Sequence, residues 1–265
     1  MPKHHKKTAP ALDNIVLELE ENALDSLVHG VEHFLSERRP SDLKYAVLHV
    51  FQAVELYMKA KLASIHPILM LAKPEDHANP DPKSAEFGPL VKRIQAVGAS
   101  VSEDDLAVLD CVRRRRNQIE HHRVSLNRED ATILVGKTIR FLEEFMLDEL
   151  GITLEDKVDS KIYQAVSEAI HSWAERLARA KDLIEQLIPP TKEALNYQVI
   201  DCPECGTDTI PVPNPRNSKL TECYLCGMSF DLSTCDVCGA HHIGGDICES
   251  CQENIFDSRD EHGGY

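Results

Sequence analysis

The sequence predicts a mainly α protein: an antiparallel bundle of five helices, one further long helix, and then a small cysteine-rich domain. Apolar residues recur at helical spacing from about residue 11 to residue 188. Aromatic residues make up only 5% of the 265, with 12 Gly and 14 Pro, which argues against a β-rich chain. Eight of the nine cysteines lie between Cys202 and Cys251, all in C-x-x-C pairs.

The first helix is expected over Asp13–Glu37, where Ile15, Leu19, Ala23, Leu27, Val31, Phe34 and Leu35 keep one stripe. The second opens at Ser41 after Pro40, carries Leu43, Val47, Val50, Phe51, Val54, Met58, Leu62 and Ile65, and is disturbed at His66-Pro67. Residues 73–86 hold three prolines and read as a loop; a short helix follows around Pro89–Val97. Ser102 and Asp105 form a capping-box start for a helix that runs through Leu106, Leu109 and Val112 into an arginine-rich stretch. Asn127 caps the fifth helix, with Glu129 and Asp130 in its first turn and a stop at Gly151. Residues 159–188 form one more helix, whose stripe from Ile162 through Trp173 to Leu187 suits packing on the bundle or, in a second arrangement, on another copy of itself. Pro189-Pro190 ends it.

The expected organisation is a basic tail over 1–10, the bundle over 11–150, the additional helix over 151–190, a linker over 191–199, a double cysteine module over 200–257 and a tail over 258–265. His4 and His5 fall in the first tail, as solvated residues. The net charge is -15, with 42% hydrophobic and 28% charged residues, the mix of a soluble globular protein. No run approaches the roughly 18 apolar residues that span a membrane. The basic start lacks the apolar stretch of a secretory signal, so a cytoplasmic location is expected. The acidic balance weighs against coating nucleic acid through bulk charge, but a local site stays open.

In a reducing compartment, paired cysteines read as metal ligands rather than disulfides. Cys202, Cys205, Cys223 and Cys226 form a C-x2-C-x17-C-x2-C pattern; Cys235, Cys238, Cys248 and Cys251 follow with a nine-residue spacer. Zinc takes four soft ligands at tetrahedral corners, and a two-residue spacer lets one tight turn present two thiolates. Gly206, Gly227 and Gly239 follow three of the second cysteines, where such a turn needs positive φ. With short strands expected at Thr207–Val212 and Leu220–Glu222, the region looks like a zinc ribbon holding two structural Zn2+ per chain. Sequential pairing needs the shorter chain closures; a cross-brace would interleave the pairs. His241 and His242 are expected to be bystanders. From Tyr197 to Tyr265 there are three Lys/Arg against twelve Asp/Glu, so this module suits a protein partner better than a phosphate backbone.

The arginine-rich stretch is Arg113-Arg114-Arg115-Arg116-Asn117-Gln118-Ile119-Glu120-His121-His122. Spacing alone also fits a solvated basic face with an Arg116–Glu120 ion pair. Arg116 and His121 are five apart, roughly 140° around a helix, so a site using both needs a wide cleft or a second chain. Arg116-Asn117-x-Ile119-Glu120-His121 resembles the R-x4-6-H motif of the HEPN superfamily, and the resemblance spans about residues 11–150, including a second helix with Glu55. It implies a metal-independent endoribonuclease, active as a homodimer on single-stranded RNA, in the setting of a toxin or defence effector. On that resemblance His121 serves as acid or base, Arg116 holds the phosphate, Asn117 orients either, and Glu55 positions Arg116 or His121. Some members carry a tyrosine two places after the histidine, where a partner nucleotidyltransferase modifies them; here Arg123 stands there. The alternative reading is a non-catalytic adaptor whose bundle binds RNA, a nucleotide or a protein.

Overall fold

A computed structural model describes residues 16–36, 38–122, 126–187, 198–212, 220–248 and 251–252. The tails, most of the 191–199 linker, the Pro213-Asn214-Pro215 turn and Arg123 lie outside the described residues. Among the described residues the chain forms six α-helices followed by five short strands. No described helix is long and apolar enough to cross a membrane.

Helix α1 spans Leu19–Ser36, starting later than Asp13. Val16 to Glu18 are not helical, and the Glu18 N–H is held by Glu21 Oε2 at 3.1 Å, an N-terminal cap in the first turn. Helix α2 spans Pro40–Ile65. Its cap is Arg39, not Ser41: Pro40 takes the first helical position, where its missing N–H costs nothing, and Asp42 accepts the Arg39 N–H at 3.0 Å. The 73–86 loop contains two elements the prolines hid: a 3-10 turn at Pro74–Ala78 and an antiparallel bridge from Leu71 to Ser84. Arg93 of α3 (Phe87–Ala96) pins that loop by donating to Leu69 O at 2.8 Å and Leu71 O at 2.5 Å.

Helix α4 (Glu103–His121) starts at the Ser102–Asp105 box, with the Asp105 N–H on Ser102 Oγ at 3.1 Å. Helix α5 (Arg128–Leu150) starts at Asn127, whose Oδ1 accepts from the Asp130 N–H at 2.8 Å, and ends at Gly151 with φ 66°. The core forms around α2, whose Val50, Phe51, Val54, Tyr57, Met58 and Leu62 are buried against α1, α3, α4 and α5. Lys61 ties α2 to the end of α5 through Glu149 at 2.8 Å, and the Ser100 N–H donates to the same carboxylate at 2.6 Å. Those bonds outweigh the burial that opposes ionisation and hold the Glu149 pKa below the usual carboxylate value.

Helix α6 (Ser160–Leu187) lies along α5, so its stripe packs on this chain. Ile162, Ala165, Val166 and Ala169 join the main core, while Trp173 and Ala180 join a second core made with the cysteine region. The two helices touch closely at Gly136, where a Cβ would meet Ala169 O at 2.5 Å and Trp173 Cβ at 2.9 Å. Strands β1 (Gln198–Asp201) and β2 (Asp208–Val212) pair antiparallel, so the linker ends before Gln198 rather than at Val199. Strands β3 (Leu220–Glu222), β4 (Ser229–Thr234) and β5 (His241–Ile243) form an antiparallel sheet in the order β3-β4-β5.

Gly136→Ala is expected to destabilise the protein by about 1–3 kcal/mol through overpacking. Gly88→Ala on α3, where a Cβ meets nothing within 4 Å, is expected to be neutral or stabilising. Urea denaturation of the two variants beside wild type measures the difference.

Candidate functional site

The first three C-x-x-C pairs each sit in a tight turn next to a strand end. Cys202–Cys205 lies between β1 and β2, Cys223–Cys226 between β3 and β4, and Cys235–Cys238 between β4 and β5, with Cys248 and Cys251 after β5. Gly206, Gly227 and Gly239 close the first three turns with φ of 60°, 72° and 74°. Their N–H groups return to the carbonyls of Cys202, Cys223 and Cys235 at 2.7, 2.8 and 2.9 Å.

The turns group the eight thiols sequentially, as Cys202/Cys205/Cys223/Cys226 and Cys235/Cys238/Cys248/Cys251; the cross-brace is not formed, and His241 and His242 lie outside both groups. A tetrahedral ion with metal–sulfur bonds of about 2.3 Å sets sulfur–sulfur edges of about 3.8 Å. The edges here are 3.7 Å for Cys202–Cys226, 3.6 Å for Cys205–Cys223 and 3.7 Å for Cys238–Cys248. Both groups therefore fit a four-coordinate metal ion. Backbone N–H groups of Cys248, Cys238 and Val237 directed at the Cys235 sulfur lower its pKa to about 6, favouring the ligating thiolate.

The first group is docked on the helices. Gly206 approaches α4 so closely that a Cβ would meet Ala107 O at 2.5 Å and Cys111 Cβ at 2.8 Å. The Cys111 S–H donates to Glu204 O at 2.9 Å, and burial raises its pKa, which keeps it a donor. Lys137 of α5, 2% exposed, donates to Cys205 O and lies 3.4 Å from Cys111 Sγ. Ile133, Trp173 and Ala180 pack on Cys202, Cys205, Cys223 and Leu225. The first cysteine group thus shares a core with α5 and α6 and is not a tethered module.

The four arginines separate. Arg113 and Arg114 pair with Asp110 on their own helix at 2.6 and 3.1 Å. Arg115 reaches Glu204 of the first cysteine turn at 3.1 Å and so joins α4 to that turn. Arg116 enters a cleft of about 460 Å³ between α2 and α4, lined also by Tyr45, His49, Phe51, Glu55, Lys59 and Glu120. Its guanidinium lies 6.0 Å over the Phe51 ring, pairs through Nε with Glu120 at 2.9 Å, and donates to Asn117 Oδ1 at 3.3 Å.

Of the residues expected at one site, Arg116 and Glu55 share this cleft and Asn117 touches Arg116. His121 does not line it: its side chain is 68% exposed, and Glu120 Oε2 is 3.9 Å from its Nε2. Asn117 thus bonds Arg116 and not His121, and Glu55 faces the cleft of Arg116 rather than His121. The helical phase causes this, because five residues turn the histidine well away from the arginine.

Three histidines escaped the sequence reading. His29 and His33 of α1 and His49 of α2 bring one ring nitrogen each within 4.8 Å of the others. The legible signal was the i, i+4 spacing of His29 and His33. Burial, and then the nearby His29 and His33, lower the pKa of His49. Comparison of the chain with protein-family models, with curated proteins and with solved structures finds no match.

Trp173, the single tryptophan, packs in the core of the first cysteine group and reports on it. Cys223→Ser is expected to shift its fluorescence emission to the red as that core opens to water. Cys238→Ser, in the second group, is expected to leave the emission unchanged.

Proposed function

We propose that the two four-cysteine groups hold zinc and that the Arg116 cleft is the phosphate-binding part of a HEPN-type, metal-independent endoribonuclease acting on single-stranded RNA. The observation that supports it is the placement of Arg116 over Phe51 in an open cleft with Lys59, one turn from an exposed histidine. A guanidinium there can bind a phosphate in bidentate fashion and favour the charge that builds on it during attack by the 2'-hydroxyl. The His121 imidazole can both accept and donate a proton, which suits the transfers to and from the 2'- and 5'-oxygens. Because His121 points out of its own chain's cleft, a second chain apposed across α4 supplies the facing histidine. Glu120 occupies Arg116 in the free protein, so bound phosphate must displace it. The role of a toxin or defence effector rests on family analogy alone.

The Arg116–Glu120 pair also favours the second reading. If Glu120 keeps Arg116 neutralised, the bundle is a non-catalytic adaptor, and the acidic cysteine module recruits a protein partner.

The test is RNA cleavage without added divalent metal, at a chelator concentration that leaves Trp173 emission unchanged. Wild type is expected to leave 2',3'-cyclic phosphate or 3'-phosphate ends. His121→Ala is expected to lose about 10²- to 10⁴-fold in rate, and Arg116→Ala a comparable amount. Glu120→Gln is expected to tighten RNA binding by freeing Arg116. Equal cleavage by wild type and His121→Ala rejects the nuclease; no cleavage by either, with a shared partner retained, favours the adaptor. Light scattering at micromolar concentration is expected to give a dimer, and a strict monomer counts against the composite site.

A further inference from the structure

We propose a third metal site, built by His29, His33 and His49 on α1 and α2, for a divalent transition ion that prefers imidazole. It is independent of the cysteine groups and of the nuclease reading.

The three rings form a closed triangle, with centroids 5.0 Å apart for His29–His33, 5.0 Å for His29–His49 and 5.8 Å for His33–His49. Imidazole nitrogens on a tetrahedral ion at about 2.0–2.1 Å stand about 3.4 Å apart. The three nitrogens already lie within 4.8 Å, so small side-chain rotations close the set. The backbone supports the approach: Gly30, next to His29, lets α1 and α2 meet, and a Cβ there would strike Val50 Cγ2 at 2.8 Å.

A second observation points the same way. Asp42, only 6% exposed, faces His33 Nδ1 at 3.3 Å and is itself fixed by Ser36 Oγ at 2.9 Å and the Arg39 N–H at 3.0 Å. An ionised carboxylate only accepts, so it holds the proton on Nδ1 and leaves Nε2 as the lone-pair donor. This carboxylate–histidine arrangement is how metal-ligating imidazoles are oriented.

Position completes the case. His49 lines the Arg116 cleft, while His29 and His33 line a second cleft of about 590 Å³ with Glu32, Arg38 and Lys161. The triangle is the shared edge of two solvent-filled spaces. Three protein nitrogens leave a coordination position open toward them, for water or a small anion, as in sites that exchange ligands rather than closed structural ones. The His29-x-x-Glu32-His33 spacing puts both helix ligands on one face of α1. Imidazole-only donors favour zinc, copper, nickel or cobalt over magnesium or calcium.

The experiment titrates Co2+ into full-length protein whose cysteine groups are loaded with zinc. The expected result is one further equivalent per chain, with visible d–d bands and no thiolate-to-cobalt charge transfer. His29→Gln and His49→Gln should abolish it, and the exposed His77→Ala should not. Asp42→Asn, which removes the charge and replaces one of the two accepting oxygens with a donor, should weaken it by about 10- to 100-fold. Unchanged circular dichroism and zinc content show that each variant is folded; His29 is exposed and its replacement leaves the core untouched. No uptake beyond the cysteine groups, uptake accompanied only by thiolate charge transfer, or uptake equal in wild type and His29→Gln overturns the proposal.

Discussion

The Cys202–Gly206 turn seated against α4 is the contact that fixes the first cysteine group on the helices. It exists because residue 206 lacks a side chain, so that the turn meets the Ala107 carbonyl and the Cys111 side chain of α4. The seat buries Lys137, whose Nζ donates to the carbonyl of Cys205, one of the four cysteines of the group, and lies 3.4 Å from Cys111 Sγ. A buried ammonium needs a nearby negative charge, and four thiolates around a divalent ion carry a net double negative charge. A divalent ion held by Cys202, Cys205, Cys223 and Cys226 would therefore be coupled to the Lys137 position and to the packing of Ile133 and Trp173.

The same contact sorts the arginines of α4. Successive residues on a helix rotate by about 100°, so four consecutive guanidiniums cannot serve one surface. Arg113 and Arg114 face Asp110, Arg115 faces Glu204 in the docked turn, and Arg116 faces the α2 cleft. What reads as one basic run is three environments, and the Arg116 environment opens on a cleft.

Local chemistry was legible in the sequence and tertiary chemistry was not. The Ser102 and Asn127 caps, the Gly151 stop and the turn glycines each depend on residues a few positions apart, and the sequential cysteine grouping follows from the shorter chain closures. The divergence of Arg116 and His121 followed from the helical period alone. Lys137 gave no such signal: a lysine in an amphipathic helix reads as exposed, and its burial is decided by a turn 68 residues away. The packing of Ile133 and Trp173 on the first cysteine group was hidden for the same reason, since both show only as helix-stripe residues. The histidine triangle was half legible, because His29 and His33 share a face but His49 comes from the next helix.

The central claim is that the first cysteine group and the α4–α5 face are one cooperative unit. Hydrogen exchange read peptide by peptide, with the metal bound and after its removal, tests this most directly. Protection is predicted to fall in α4 around Ala107–Cys111 and in α5 around Ile133–Lys137 together with the cysteine turns, while α1 and the centre of α2 keep theirs. Loss of protection confined to residues 198–248, with α4 and α5 unchanged, would contradict the account.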